Sequence, residues 1–441
     1  MKTRFSALKS RMHALACIAL ACASGVAFAQ GTPDFGALTL PSAEAMLGAK
    51  NRDIALARRA LEQAQADVQV AGQPPNPQFS WTTQNINPKL GVGSGPLRGK
   101  TVDSIARVDQ LIERGNKLNL RVDTARRLET AAGEDLNDIG RQQLLALRSA
   151  YYDLAAAQDK VATTRDTAQL FDKTVGAAQT RQRAGDIAAS DVSRIRVDAL
   201  RAQNDARAAE ADLSRARLAL AFLIGADKDA ASLRAVTPWP ARDALAQAGV
   251  DELVNRRADV RAAVARVEAT DRARDLAQAQ RTRDISVGVQ VEHYPASQSN
   301  PQGSGNSFGV AVSVPLFLRH NNEGTVARAQ ADWYAARDLL ERVKAQAVSE
   351  VLRARNDLES ASERLARFET DLLPAAQKSA DAAEFAFRNG AMGVMDLLDA
   401  RRTLKAVLID ATTARADHAK ALAAWQSNLE SPNNNITGMQ R

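Results

Sequence analysis

Two aspartates three residues apart, Asp396 and Asp399 in the run MDLLDA, are the side chains in this sequence best spaced to act together. On a helix that spacing puts both carboxylates on one face. At ~4 Å and an effective dielectric of ~20, one pair of unit charges is worth about 4 kcal/mol. Such a pair attracts cations, and crowding further carboxylates against it needs basic or hydrogen-bonding partners. Arg401 and Arg402 are near enough in sequence to serve. A plainer role competes for Asp396, because a carboxylate in the first turn of a helix favours the helix dipole. Asp399 lies a turn further in, where that explanation weakens.

Catalysis finds no support. Beyond the first thirty residues the histidines are His293, His320 and His418, widely separated and read as surface residues. No HExxH, no paired metal-ligand spacing and no Walker glycine loop is present, and no serine has a nucleophile-elbow context. The expectation is no catalytic residue, no metal site and no cofactor. Both cysteines, Cys17 and Cys22, fall within the first thirty residues, which leaves the rest of the chain without thiol or disulfide chemistry.

Lys2, Arg4, Lys9 and Arg11 precede an apolar run from Ala14 to Ala23, and Ala27-Phe28-Ala29 offers small residues at cleavage positions. This pattern reads as a secretory signal, the run being shorter than the roughly 20 residues of a membrane span. Lipidation of Cys17 or Cys22 stays open. Setting those four charges aside leaves 54 basic against 51 acidic residues, a net of +3 in place of +7. A nucleic-acid partner thereby loses its support.

The elements that must position the aspartates are long. Aromatics make up 4% of the 441 residues and charged residues 25%, with alanine leading the apolar 45%. That mixture suits long helices packed at close range better than a thick core. The chain is also written twice. NRDIALARRALE from Asn51 and RADVRAAVARVE from Arg257 align at an offset of 206, as do Asn116 and Asn322. RQRAGDIAASDV from Arg181 and AFRNGAMGVMDL from Ala386 align at 205.

Each copy is predicted to open with a helical stretch, Ser42 to Ala71 or Arg242 to Arg281. Two strands around a loop follow, then a very long helical tract, Lys117 to Arg183 or Glu323 to Arg388, a glycine turn and a last helix. At 1.5 Å per residue, some 65 residues span on the order of 100 Å, so the tracts must pair lengthwise as coiled coils do. Gly133, Gly140 and Pro374 are candidate breaks. The organisation expected is a signal over 1–29, a first repeat over 30–225, a linker over 226–241, a second repeat over 242–430 and a polar tail over 431–441.

The strands are the anomaly in so helical a chain. Ile285, Val287, Val289 and Val291 alternate with Ser286, Gly288, Gln290 and Glu292. Phe308, Val310, Val312, Val314 and Leu316 alternate with Gly309, Ala311 and Ser313. In the first copy Phe79 and Trp81 start one such segment, and Val102, Ala106 and Val108 line another. Period two assigns one set to each face of a sheet. About ten residues tilted near ~45° cross a membrane as a barrel strand; a small sheet covering the helices is the soluble alternative. Four strands cannot close a barrel, and a membrane forbids unpaired edges, so a membrane location requires several chains. Three would supply twelve strands. The runs QNINPKLGVGSGPLRG after Thr83 and YPASQSNPQGSGN after His293 read as exposed loops.

With its signal, duplicated strand-pair-plus-long-helix unit and glycine-marked tips, the chain resembles the TolC family of trimeric outer-membrane efflux channels, from Leu38 to about Glu430. The sharpest shared motif is a glycine, five residues, an aspartate and then valine or leucine. It occurs from Gly185 to Asp191-Val192 and from Gly390 to Asp396-Leu397. The strand exit Val314-Pro315-Leu316-Phe317 is also typical, and Ala71-Gly72-Gln73-Pro74-Pro75-Asn76-Pro77 is similar to the heavy-metal-efflux, CzcC-like branch. The first copy departs from the exit pattern, with Asp109-Gln110 where the second has Pro315-Leu316.

The resemblance implies a mainly α fold with a small β part and an internal duplication. Four strands per chain would join a trimeric twelve-stranded outer-membrane β-barrel, continued by a long periplasmic α-helical coiled-coil barrel. Phe79, Trp81, Ile285, Val287, Val289 and Val291 would face lipid, with Phe308, Val310, Val312 and Val314. Asp396 and Asp399 fall on the family's periplasmic gate, with Asp191 as first-copy counterpart, and a trimer would turn the pair into two rings of three carboxylates. Arg183, Gly185 and Ile187, with Arg388, Gly390 and Met392, would form adaptor-docking tips. A plain helix hairpin explains the glycines alone, but not apolar residues in an exposed turn. Phe387 stands where the family carries an aromatic hydrogen-bonding residue; lacking a hydroxyl, it is expected to pack.

The implied partners are a homotrimer, a periplasmic adaptor, an inner-membrane RND-type pump and outer-membrane lipid, with no nucleic acid. The implied function is the outer-membrane channel of a tripartite efflux system for divalent heavy-metal cations. Drug or organic-solute efflux, type I secretion and a periplasmic structural coiled coil are the alternatives.

Overall fold

A computed structural model of the protein describes residues 34–86, 102–242, 249–296 and 303–429. The expected signal, the C-terminal tail and most of both strand-connecting loops lie outside these residues. The first repeat comprises α1 (Leu40–Lys50), α2 (Arg52–Ala71), β1 (Gln78–Gln84), β2 (Asp103–Ile112), α3 (Lys117–Arg183) and α4 (Ala189–Ile224). The second comprises α5 (Val250–Arg256), α6 (Ala258–Ala279), β3 (Ile285–Tyr294) and β4 (Gly305–Ser313). Its hairpin goes out through α7 (Glu323–Arg367), a π turn (Phe368–Leu372) and α8 (Leu373–Arg388), and returns through α9 (Val394–Leu429).

Both expected opening helices are broken. Asn51 has extended backbone, and its Oδ1 accepts the N–H groups of Asp53 and Ile54 at 3.0 Å, which starts α2 afresh. Arg257 makes the same break between α5 and α6. The long arms behave differently. α3 runs unbroken for 67 residues, through Gly133 and Gly140. A glycine inside a helix costs about 1 kcal/mol against alanine, and packing along both sides outweighs that. Pro374 does mark a join: it lies in the first turn of α8, directly after the π turn, where its missing N–H does least harm. Each arm starts after a left-handed asparagine, Asn116 at φ 60° and Asn322 at φ 59°. Asparagine visits that region more readily than other side-chain-bearing residues.

The core is built round α3, with α2 and α6 beside it, α4 as its hairpin partner and α9 along it. Small residues let the helices approach closely; Ala43, Ala209, Ala221 and Ala262 are wholly buried. Tyr151 is the largest fully buried side chain. Its hydroxyl donates to the Leu38 carbonyl at 2.8 Å and accepts the Thr237 N–H at 3.0 Å, tying the 226–241 segment to α3. His418, expected at the surface, is buried on α9 with 2% exposure.

The sheet is antiparallel in the order β1-β2-β3-β4. Cross-strand rows align Phe79, Val108, Val289 and Val310, and beside them Trp81, Ala106, Val291 and Phe308. Two positions differ from expectation. β4 ends at Ser313, so Val314 and Leu316 lie past the strand; Pro315 cannot donate to a ladder, and strands stop short of it. Val102 precedes β2 and is buried.

Candidate functional site

The two hairpin tips are built alike. At the first, the N–H of Asp186 donates to the Arg181 carbonyl at 2.9 Å and that of Gly185 to Gln182 at 3.0 Å. At the second, Ala391 donates to Ala386 at 2.9 Å and Gly390 to Phe387 at 3.1 Å. This pair of bonds closes a helix on a left-handed residue, and Gly185 and Gly390 have φ of 86° and 74°. Arg183 and Arg388 are exposed on the last turns. Ile187 is half-buried and, like Val394 and Met395 of the second tip, packs against a buried cluster that includes Phe171, Val192 and Ile195. Packing within the hairpins therefore accounts for part of the apolar character of the turn. Phe387 is half-buried and lines a cleft between the tips with Lys173, Arg181, Ile187 and Leu397.

Asp396 lies exposed in the first turn of α9, and among the described residues it has no ion-pair partner. Asp399 is exposed one turn on and pairs with Arg402. Arg402 also reaches Asp198 of α4, whose side chain is only 10% exposed. Arg401 turns away from the aspartates to Glu384 of α8, which takes Arg388 as well. Of the two arginines offered by the sequence, only Arg402 meets the pair, and it meets Asp399 alone. Lys405 adds a bond to Asp205 at 2.6 Å. Asp191 is half-buried in the first turn of α4 and does not join this cluster. Asp198 and Asp205 were missed, although Asp191, Asp198, Asp205 and Asp212 recur every seven residues, the spacing of one seam along a paired helix.

The sheet has two unlike faces. On one, Phe308, Val310 and Phe79 are 81%, 78% and 68% exposed, with Trp81, Val289, Val291 and Val312 also open. Ile285 and Val287 share this face but are half-buried at its lower end. On the other face Arg107 and Asp109 pair at 2.7 Å, and Ser307 donates to Glu292 at 3.2 Å. Gly288 stands opposite Asp109, where a β-carbon would meet the carboxylate at 2.2 Å. β1 and β4 each pair on one side only among the described residues. No described helix is long and apolar enough to cross a membrane, and no described group of three metal-ligating side chains comes together.

The profile of the outer membrane efflux protein family matches residues 46–226 and 249–428. The chain is 26% identical over 373 residues to the cobalt-zinc-cadmium resistance protein CzcC of Cupriavidus metallidurans, covering 84% of each. It superposes on the outer membrane channel CmeC of Campylobacter jejuni with a TM-score of 0.77 at 12% identity, over 91% of this chain and 89% of that one. With the outer membrane protein VceC of Vibrio cholerae the TM-score is 0.71 at 19% identity, over 88% and 95%. At such identities the superpositions establish a shared fold.

Proposed function

The chain belongs to the outer membrane efflux protein family, and from that premise we propose that three copies form the exit channel of a tripartite system for divalent metal cations. The observation that carries the proposal is the sheet. Its exposed face is apolar, its other face is polar, and among the described residues neither outer edge has a strand partner. In hydrocarbon every backbone group must be paired. Three four-stranded sheets joined edge to edge satisfy that as a twelve-stranded barrel, with the apolar face toward lipid and Arg107 and Asp109 toward the lumen.

The helical hairpins continue the barrel into the periplasm. At their ends the rings of Asp396 and Asp399 form the gate, with Asp191 set back from it. The exposed turns at Arg183, Gly185, Arg388 and Gly390, with Met392, receive a periplasmic adaptor, and an inner-membrane RND-type pump supplies the energy. The metal cargo is supported by the likeness to a cobalt-zinc-cadmium resistance protein along most of the chain.

Planar-bilayer recording of the detergent-extracted protein tests the channel. Discrete cation-preferring openings are expected; a folded trimer that stays silent both as wild type and as Asp396→Ala with Asp399→Ala contradicts it. For the cargo, zinc-loaded cells lacking the protein should retain more zinc than cells carrying it. Equal retention removes the metal reading and leaves organic solutes.

A further inference from the structure

The end of the sheet nearest the helical arms carries exposed apolar and cationic side chains side by side. Ile112 of β2 pairs with Ile285 of β3. Two residues beyond each, toward the helices, stand Arg114 and Arg283, both exposed. The segment leaving β4 passes the same level. There Val314, Leu316 and Leu318 are 39%, 68% and 84% exposed, and Leu318 is the most open large apolar side chain among the described residues. Arg319 follows it and is exposed as well.

Local bonds hold this display in place. The Leu318 N–H donates to the Leu316 carbonyl at 3.0 Å, which turns the chain between them. Asn321 donates its N–H to Glu323 at 2.9 Å, and the Asn322 side-chain amide donates to the Gln280 carbonyl at 2.9 Å. The Arg283 guanidinium lies over the Phe317 ring, 5.5 Å from its centre. The feature is also duplicated. Leu111 and Ile112, the counterparts of Phe317 and Leu318, are 40% and 48% exposed, and Arg114 stands at the counterpart of His320.

The charge at this level is one-sided. Glu113 is bound to Arg121 at 2.8 Å and Asp284 to Lys117 at 2.7 Å. Glu323 takes the Asn321 N–H. With these carboxylates engaged, Arg114, Arg283 and Arg319 form no ion pair among the described residues. A guanidinium is a planar fork of donors that fits phosphate oxygens. Aliphatic side chains beside it suit the acyl layer that borders a headgroup, and the apolar face of the sheet runs directly into this rim.

We propose that the rim binds the phosphodiester of anionic glycerophospholipids in the periplasm-facing leaflet. Arg114, Arg283 and Arg319 hold the phosphate, while Leu316 and Leu318 enter the acyl layer. This rests on the reading of the sheet as part of a membrane barrel.

The test uses the detergent-extracted, lipid-stripped full chain, titrated with phosphatidylglycerol or phosphatidylcholine and read by native mass as lipids retained per chain. Phosphatidylglycerol should be held roughly tenfold more tightly, and added salt should shrink the difference. Arg114→Gln with Arg283→Gln and Arg319→Gln should remove the preference and leave phosphatidylcholine retention unchanged. Leu316→Ser with Leu318→Ser should weaken both lipids alike. Equal retention of the two lipids by the unaltered protein, or an undiminished preference in the glutamine variant, overturns the proposal. Flotation with phosphatidylcholine vesicles checks the underlying reading separately. A chain that floats yet shows no preference removes the phosphate rim alone, and a chain that does not float removes the barrel reading with it.

Discussion

Asn51 and Arg257 stand 206 positions apart at the same break between two helices, and they hold it by different chemistry. Asn51 caps α2 with its oxygen and donates through Nδ2 to the Leu223 carbonyl at 3.1 Å. Arg257 has no capping oxygen. Its guanidinium is buried and binds Asp259 and Glu350 at 2.7 Å and Asn428, the counterpart of Leu223, at 3.2 Å. Burial pushes the Asp259 and Glu350 carboxyls upward; hydrogen bonds, from Arg257 to Asp259 and from Gln346 and Arg257 to Glu350, and the charge of Arg257 outweigh it and hold both below their ordinary values. The backbone path survived duplication while the side chains diverged. The return helices are unequally covered as well, with Leu218 of α4 57% exposed and its counterpart Ala423 of α9 only 3%.

The strongest way to break this comparison is to charge the uncovered face. Leu218→Asp with Phe222→Asp should abolish assembly and leave a folded monomer by native mass, since each side chain contributes ~1.5–3 kcal/mol when covered. Ala423→Asp, at the counterpart of Leu218, should instead lower the stability of the chain itself. Identical outcomes for the two would contradict the difference in cover.

The helix breaks come next. Arg257→Ala strands two carboxylates and should cost about 3–5 kcal/mol, against roughly 1 kcal/mol for loss of the Asn51 cap in Asn51→Ala. Thermal unfolding of the extracted protein separates these. The same network gives a pH signature. Carboxyls depressed in the folded state add stability that is complete above their ordinary values of 3.8 and 4.5 and is lost as pH falls through the lower folded ones. The midpoint should therefore drop below about pH 4. Asp259→Asn with Glu350→Gln should flatten that acid limb.

At the tips the comparison predicts equality. Gly185→Ala and Gly390→Ala meet no atom within 4 Å, so each carries only the left-handed backbone cost of ~1–2 kcal/mol; unequal losses would reveal an unseen neighbour. The smallest effect is electrical. Asp396→Ala with Asp399→Ala should reduce cation selectivity, and unchanged reversal potentials in a salt gradient would contradict a gate at these residues.

Much of this was legible in the sequence where local chemistry decides. The ends of α3 follow from Asn116 and Gly185, and the sheet faces from alternation in β3 and β4. The break at Arg257 was hidden because arginine carries no capping signal and the alanine-rich pattern continues across it. Asp198, Asp205 and Glu384 were missed because each has a partner on another helix, for the first two some 200 residues away. His418 was misjudged because a histidine among alanines gives no hint of which face is covered.

On the proposed assembly a single chain is incomplete: among the described residues the outer edges of β1 and β4 have no strand partner, and Leu218 and Phe222 of α4 stand exposed. Native mass of the detergent-extracted, lipid-stripped protein tests this directly. Three chains per particle are expected; a stable monomer with the same helical content would contradict the assembly.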